Sequence, residues 1–190
     1  MDFLIPVLNM LLPGLYGVVA VGYAALFFTK GESRFRVVTE LLMPVALLHF
    51  AYLVIRTYHL QHVPLLSRPE AMTSIAFALV AVYLAQERPV GSRAVGIFVI
   101  GPAFLFQLIS SLTITHVSQA DEALFQGALF RFHVFSSILA YVGFALAAFY
   151  ATLFLFLFRE IHSRDFRFFF SRLPALETLS RMNYRAVVLA

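Results

Sequence analysis

The sequence contains no cysteine and no tryptophan, and only 13% of its 190 residues are charged. Without cysteine the chain forms neither a disulfide framework nor a thiolate metal site, and it cannot attach a cofactor through a thioether bond. The scarcity of charge, beside a hydrophobic content of 61%, excludes an ordinary soluble domain and indicates an integral membrane protein.

Motifs of common enzyme classes are also missing. The chain has no phosphate-binding loop, no HExxH zinc motif and no nucleophile elbow. An independent hydrolase or transferase activity is therefore not expected, and we do not expect the chain to be an enzyme on its own.

Charged residues gather between long apolar runs, which is typical of a polytopic helical bundle. The longest run, 132–158, holds 27 residues without a formal charge, more than the roughly 20 needed to cross a bilayer core. Alternation with the period of a transmembrane strand is absent. The sequence therefore predicts an all-α transmembrane bundle with five spans, at about 3–29, 37–58, 70–86, 94–115 and 132–158.

The chain divides into three predicted parts. Residues 1–158 form the five-helix transmembrane bundle, and residues 159–183 form a basic, aromatic segment along the cytoplasmic membrane surface. Residues 184–190 begin a further apolar run, the start of a sixth transmembrane helix, which is too short to span by itself. In the loop before the fifth span, residues 123–132 are expected to form a short interfacial helix.

Basic residues are unevenly distributed between the two sets of loops. If the N-terminus lies outside, the cytoplasmic segments carry 11 of the 14 lysines and arginines, as the positive-inside rule requires. Topology alone thus explains the net charge of +4, and no nucleic-acid partner is expected. The eleven residues are Lys30, Arg34, Arg36, Arg88, Arg93, Arg159, Arg164, Arg167, Arg172, Arg181 and Arg185.

Five of the six histidines fall toward the outer half of this topology. Imidazole is the commonest axial ligand of haem iron, and ligands from facing helices can hold a haem within a bundle. In the second span, His49 and Arg56 lie about 20° apart around the helix axis. Arg56 could therefore pair with a haem propionate while His49 binds the iron. The five outer histidines are His49, His59, His62, His116 and His133.

Simpler interpretations exist for most of these residues. Histidines in loops and at helix ends are often only hydrated, and Arg56 is also typical of a side chain that extends toward the membrane interface. Serine and threonine in the last two spans, with Gly143 and Ala147, are typical of helix packing. An intramembrane histidine such as His49 instead indicates a functional residue. The residues alone leave a membrane bundle with a haem or quinone site.

A histidine followed by serines and a tyrosine marks the fifth span. The spacing of His133, Ser137 and Tyr141 places these side chains along one helix face. Near the end of the sequence, a leucine-rich stretch ends in the pair Tyr184 and Arg185. Together with the early segment HFAYLVIRTYHLQHVPL, these motifs resemble the CcsA/HemX-like cytochrome c assembly family.

The resemblance implies transmembrane handling of haem b: its movement to the outer face of a bacterial cytoplasmic membrane and its presentation to apocytochrome c. It implies that His133 is an external axial ligand of the iron. His49 is the candidate intramembrane ligand, and Arg56, Tyr141 and His116 complete the candidate cofactor site. The expected partners are cytochrome c maturation proteins or other membrane subunits.

Two features of the family have no counterpart in this sequence: a tryptophan-rich external segment and a second external histidine. Either the sequence is a fragment of a longer chain, or the haem platform has been lost and the bundle serves another role. The alternative functions are an accessory structural subunit of a larger membrane redox complex that binds no cofactor itself, and a quinone-binding redox subunit.

Overall fold

The computed structural model describes residues 3–29, 33–60, 63–65, 67–90, 93, 95–113, 127–164 and 168–190. Every regular element within these ranges is a helix, which confirms the all-α prediction. The helices are α1 (Leu4–Phe28), α2 (Ser33–Glu40), α3 (Leu42–Leu60), α4 (Arg68–Val90), α5 (Ile97–Thr113), α6 (Ala128–His162) and α7 (Leu176–Leu189).

Four stretches of these helices are long and apolar enough to cross a bilayer: Leu4–Phe28, Val37–His59, Arg68–Glu87 and Leu129–His162. They make the chain an integral membrane protein in contact with lipid. The remaining predicted span, 94–115, corresponds to α5. Its 17 described residues extend about 25 Å, short of the roughly 20 residues that a perpendicular crossing needs. Residues 94, 114 and 115 of that prediction lie outside the described residues. Four of the five predicted spans therefore meet the length requirement.

The second predicted span, 37–58, is interrupted near its start. Helix α2 ends at Glu40 and α3 begins at Leu42, with a tight turn in which the Leu41 backbone N–H bonds the Val38 carbonyl oxygen at 3.3 Å. Pro44 explains the break, because it has no N–H to bond the Glu40 carbonyl and its ring crowds that oxygen. The charged helix α2 is thereby separated from the apolar α3.

Helix α6 is longer than the predicted span 132–158. It covers 35 residues, or about 50 Å at 1.5 Å per residue, well beyond the roughly 30 Å hydrocarbon core. Residues 128–132 belong to this helix, which corrects the prediction of a separate interfacial helix there. Residues 123–126 of that prediction lie outside the described residues. The helix passes through Arg159 and Glu160, since neither residue disfavours helical backbone.

The first, third, fourth and fifth helices pack around a common core, while α6 and α7 form a hairpin that contacts α4. Helix α7 returns along α6 and buries Leu179, Met182 and Ala186. The two helices approach closely because Gly143 has no side chain: a Cβ there would lie 3.0 Å from the Ala186 carbonyl oxygen. Gly143 therefore serves helix packing, as the sequence predicts.

A carboxylate of α6 holds the turn that precedes α7. The Glu160 side chain accepts hydrogen bonds from the backbone N–H groups of Phe169 at 3.2 Å and Phe170 at 2.7 Å. Helix α7 then runs without a break from Leu176 to Leu189. The predicted boundary between an interfacial segment and a new transmembrane helix, at 183/184, falls inside this single helix.

Candidate functional site

A buried histidine near the middle of α3 joins three helices. His49 of α3 is 0% exposed. Its Nδ1 atom lies 2.9 Å from the Tyr16 hydroxyl of α1, and its Nε2 atom lies 2.9 Å from the Thr73 hydroxyl of α4. Both ring nitrogens are therefore engaged by protein side chains.

The partners of Thr73 determine the tautomer of His49. The Thr73 hydroxyl donates to the Gln107 carbonyl oxygen Oε1 at 2.7 Å, and an amide oxygen can only accept. Thr73 then accepts from an Nε2–H of His49. Complete burial without a carboxylate partner disfavours a charged ring, so Nδ1 carries no proton and accepts the hydroxyl proton of Tyr16. His49 is thus a neutral imidazole in a directed chain that runs from Tyr16 to Gln107 across four helices. Gln107 extends the chain by donating to the Ser111 hydroxyl at 3.1 Å.

A buried ion pair forms the second branch of this network. Arg56 of α3 lies 3.1 Å from Glu70 of α4, and both side chains are almost fully buried. Arg56 also donates to the Tyr52 hydroxyl at 3.4 Å, and Tyr52 donates to the Asn9 side-chain oxygen at 3.2 Å. Asn9 in turn donates to the backbone oxygen of Ser111 at 3.2 Å, which closes the network onto α5.

The start of α4 positions Glu70 for this ion pair. The Ser67 backbone N–H donates to Glu70 at 3.2 Å, and the Glu70 N–H donates to the Ser67 hydroxyl at 3.3 Å. This reciprocal arrangement is a capping box, which satisfies backbone donors at a helix start. Glu70 is a member of the buried network that the sequence interpretation missed, although the spacing of Ser67 and Glu70 carried the signal.

The structure separates the predicted site residues into two groups. His49 and Arg56 belong to one buried network and are bridged by Tyr52, whose ring centroid lies 6.2 Å from that of His49. His133 and Tyr141 are exposed on α6, Tyr141 to 75%, and neither takes part in that network. His116 lies outside the described residues.

The two predicted iron ligands differ in their availability for haem. His49 has no free ring nitrogen, so an iron ion could bind only by displacing Tyr16 or Thr73. Its surroundings, as packed, do not fit a haem. His133 fits as a single ligand, since it is exposed and its imidazole makes no hydrogen bond, ion pair or ring contact within the described ranges. Those ranges hold no group of three or more histidine, aspartate or glutamate residues able to enclose a metal ion.

An apolar groove of about 540 Å³ opens between α3, α4 and α6. None of the predicted ligands in the described ranges lines it, and the polar side chain of Ser74 in its wall donates to the Pro64 carbonyl oxygen at 2.9 Å. Its wall suits acyl chains rather than the propionates of a haem. The groove is lined by Phe50, Leu53, Val54, Thr57, Tyr58, Val63, Pro64, Leu65, Ser74, Phe77, Ala78, Ala81, Phe135, Ile138 and Leu139.

A second polar cluster lies at the opposite end of the bundle. The Tyr23 hydroxyl of α1 donates to Glu87 of α4 at 2.6 Å, and the other Glu87 oxygen pairs with Arg93 at 2.9 Å. Arg93 also donates to the Thr39 hydroxyl at 2.9 Å. The sequence predicts only a polar turn at 87–93, because the tyrosine partner is 64 residues away.

Comparison with known proteins gives no relative from which a role can be taken. No family model, no curated protein and no solved structure matches this chain. What the protein does is therefore inferred from its own residues and their geometry.

Proposed function

We propose that this protein handles haem b at the outer face of a bacterial cytoplasmic membrane, as cytochrome c assembly proteins do, with His133 as an axial ligand of the iron. The observation that carries this proposal is the polar stripe of His133, Ser137 and Tyr141 on α6. No side chain in the described ranges covers its two end members, which are exposed. Polar groups that face outward from a membrane helix are costly unless a ligand or partner covers them.

The placement of α6 is consistent with a haem site near one membrane surface. Phe135, two residues after the start of this stripe, lines the same groove as Tyr58 at the end of α3. The stripe therefore begins at the end of the bundle where α1 begins. With the N-terminus outside, that end faces the outer surface, and the basic residues after Phe158 face the cytoplasm.

His49 and Arg56 take a different role in this proposal. The carboxylate of Glu70 neutralises Arg56 at 3.1 Å, which removes its charge as a partner for a haem propionate. His49 joins α1, α3 and α4 through its two hydrogen bonds. We assign both residues to the internal network that fixes the bundle against which α6 packs.

Tyr141 extends the same exposed face two helical turns beyond His133. Its hydroxyl can hydrogen-bond a group that lies along α6, whereas its ring presents an apolar surface to a porphyrin edge. Haem, when bound, is the cargo and supplies the iron that an imidazole recognises. The role of the chain is to bind the haem and to orient it.

A second candidate function is that of an accessory subunit of a larger membrane complex that binds no cofactor itself. The same stripe favours it, because serine, histidine and tyrosine side chains also form hydrogen bonds between transmembrane helices of different subunits. In that case the covering group is a partner helix rather than a haem.

Haem titration of the purified protein in detergent micelles separates the two functions. We expect a saturable Soret shift with the wild type and at least about tenfold weaker binding with His133→Ala, since the iron loses its ligand. His162→Ala is the matched control: His162 is exposed on the same helix, stacks on Phe158 at 5.9 Å and should leave binding unchanged.

Equal haem affinity in the wild type and His133→Ala would contradict the haem assignment. Purification with stoichiometric partner subunits, loss of those partners in His133→Ala, and no saturable haem binding would instead support the accessory role. Mass spectrometry of the purified complex gives the identity and stoichiometry of any partner.

A further inference from the structure

Four buried side chains with polar groups lie on the second half of α4 and on α6, two helices that contact each other. Residues 83, 86 and 87 are spaced i, i+3 and i+4, so they are neighbours on the surface of α4, and Tyr150 lies near Tyr83 and Glu87. Tyr83, Gln86 and Glu87 belong to α4, and Tyr150 belongs to α6. All four are buried, with exposures from 0% for the two tyrosines to 8% for Glu87. Neither the proposed haem site nor the network around His49 includes them.

Four polar atoms of this group are buried without a hydrogen-bond partner in the part of the chain that the structure describes. They are the hydroxyl oxygens of Tyr83 and Tyr150 and both amide atoms of Gln86. Buried polar atoms are almost always paired with protein or with ordered water. Four orphaned atoms on neighbouring turns of two packed helices therefore indicate a ligand between them.

The surroundings fix the Tyr83 hydroxyl in place. The Tyr83 ring packs edge-to-face against Tyr23 at 5.9 Å, and a Cβ at position 96 would lie 2.6 Å from the Tyr83 hydroxyl. The Tyr23 hydroxyl already donates to Glu87 at 2.6 Å. The Tyr83 hydroxyl lies near that of Tyr23, but not in the geometry of a hydrogen bond.

The charges nearby select the chemistry of the ligand. Glu87 repels an anion, and its own charge is already compensated by Arg93 at 2.9 Å, which leaves little attraction for a cation. The orphaned groups include two hydroxyls, one amide donor and one amide acceptor. A small neutral molecule that both donates and accepts hydrogen bonds satisfies all of them.

We propose that Tyr83, Gln86 and Tyr150 hold ordered water molecules that connect them to Glu87, forming an internal hydrated site between α4 and α6. Water matches the mixed set of donors and acceptors, because each molecule both donates and accepts hydrogen bonds. The site binds the α6–α7 hairpin to the four-helix core through polar contacts, in addition to the apolar ones.

Radiolytic hydroxyl-radical labelling of the whole protein in detergent tests this site directly. Bound water activated in place modifies the side chains beside it, so Tyr150 and Tyr83 should be modified at least about threefold faster than buried tyrosines without such water. Tyr16 and Tyr52 are the internal controls, since both are fully buried and hydrogen-bonded to protein. Equal modification rates for the two pairs would overturn the proposal.

Thermal unfolding of Gln86→Met and Tyr150→Phe gives an independent test. The unfolding midpoint should move in opposite directions for a dry site and for a hydrated one. If the orphaned atoms are dry, removing them raises the unfolding midpoint, because a buried unsatisfied group is deleted. If they hold water, each change lowers the midpoint by a few degrees. Tyr141→Phe on the exposed face of α6 is the control and should leave the midpoint unchanged. An unchanged or raised midpoint for both buried variants would overturn the proposal.

Discussion

His49 is the residue on which the internal hydrogen-bond network depends. Its neutral ring accepts from Tyr16 and donates to Thr73, and this direction follows from Gln107, whose amide oxygen can only accept. A histidine inside a membrane bundle indicates a functional group, but the same signal is produced by a residue that joins helices. The sequence does not distinguish these roles, because they differ only in what the two ring nitrogens contact.

Replacing His49 with leucine should destabilise the bundle strongly. The Tyr16 and Thr73 hydroxyls would each lose a buried partner, at a cost of about 2–4 kcal/mol for the two together. Thermal unfolding in a fixed detergent measures the loss. His133→Leu is the matched control, since the exposed ring of His133 makes no hydrogen bond or ion pair within the described ranges, and the midpoint of this variant should stay at the wild-type value. Equal midpoints for His49→Leu and the wild type would refute this role.

The buried ion pair of Arg56 and Glu70 leads to a second prediction about single residues. Glu70→Gln leaves the buried charge of Arg56 uncompensated, and we expect a loss of about 3–5 kcal/mol in unfolding free energy. The double variant Arg56→Met, Glu70→Met removes both charges and should recover much of that loss. Breaking a buried pair costs more than replacing it.

An exposed ion pair provides the control for this experiment. Glu177 and Arg181 of α7 lie 3.2 Å apart with both side chains largely exposed, so Glu177→Gln should leave the unfolding midpoint unchanged. A double variant no more stable than Glu70→Gln alone would show that uncompensated charge is not the cause of the loss.

At the scale of the elements, helix ends were harder to predict than helix existence. The charge-free run 132–158 correctly indicates a membrane helix, but α6 continues to His162 because charged residues are compatible with helical backbone outside the bilayer core. At 37–58 the predicted span is confirmed as one of the four stretches able to cross a bilayer, while Pro44 introduces a break at Leu41 between α2 and α3. Apolar length therefore locates the spans, while backbone chemistry sets where each helix begins and ends.

The contact of α6 with α7 depends on the absence of a side chain at one position. Gly143→Leu would place a side chain against the Ala186 carbonyl oxygen and Ala190, which would lie 3.0 and 2.8 Å from the new Cβ. We expect α7 to move away from α6. Because the chain has no cysteine, spin labels on Thr152→Cys and Tyr184→Cys report the distance between the two helices without background labelling.

Gly14→Leu in α1 is the control for this measurement. A Cβ at that position meets no atom within 4 Å. The distance between the spin labels should therefore equal the distance measured in the labelled protein that keeps both glycines. Gly143→Leu should lengthen or broaden the distance distribution. An unchanged distribution in Gly143→Leu would mean that close approach at Gly143 does not determine the docking of α7.

At the scale of the whole molecule, the long-range contacts build a four-helix core and a separate hairpin. Both polar networks lie in or against the core, one at each end, and α4 contributes to both through Glu70 and Thr73 at its start and Glu87 near its end. The hairpin contacts the core at α4. The exposed stripe of His133 and Tyr141 lies on this hairpin, away from the buried networks.

The orientation of the chain in the membrane gives the last prediction. With the N-terminus outside, His133→Cys should react with a membrane-impermeant maleimide in intact cells, while Ser163→Cys should react only after permeabilisation. The two positions lie at opposite ends of α6 and its following turn, and both are exposed. The absence of natural cysteine makes each signal specific. The reverse pattern would place the N-terminus in the cytoplasm.

The sequence by itself determined the membrane location, the helical class and the approximate position of four spans. These properties follow from the length of charge-free runs and from the need of a backbone in lipid to satisfy its own hydrogen bonds, which is a local property of each segment. The capping box of Ser67 and Glu70 also depends only on residues close together in sequence, so the sequence was sufficient to predict it.

Only the tertiary structure decided which polar residues are partners. Tyr16 and His49 are 33 residues apart, Thr73 and Gln107 are 34 apart, and Tyr23 and Glu87 are 64 apart. Each pair depends on how two helices are rotated about their axes and on how closely they pack, and no periodicity within one helix specifies these quantities. The same rotations bury His49 and leave His133 exposed, although both are histidines of apolar membrane helices.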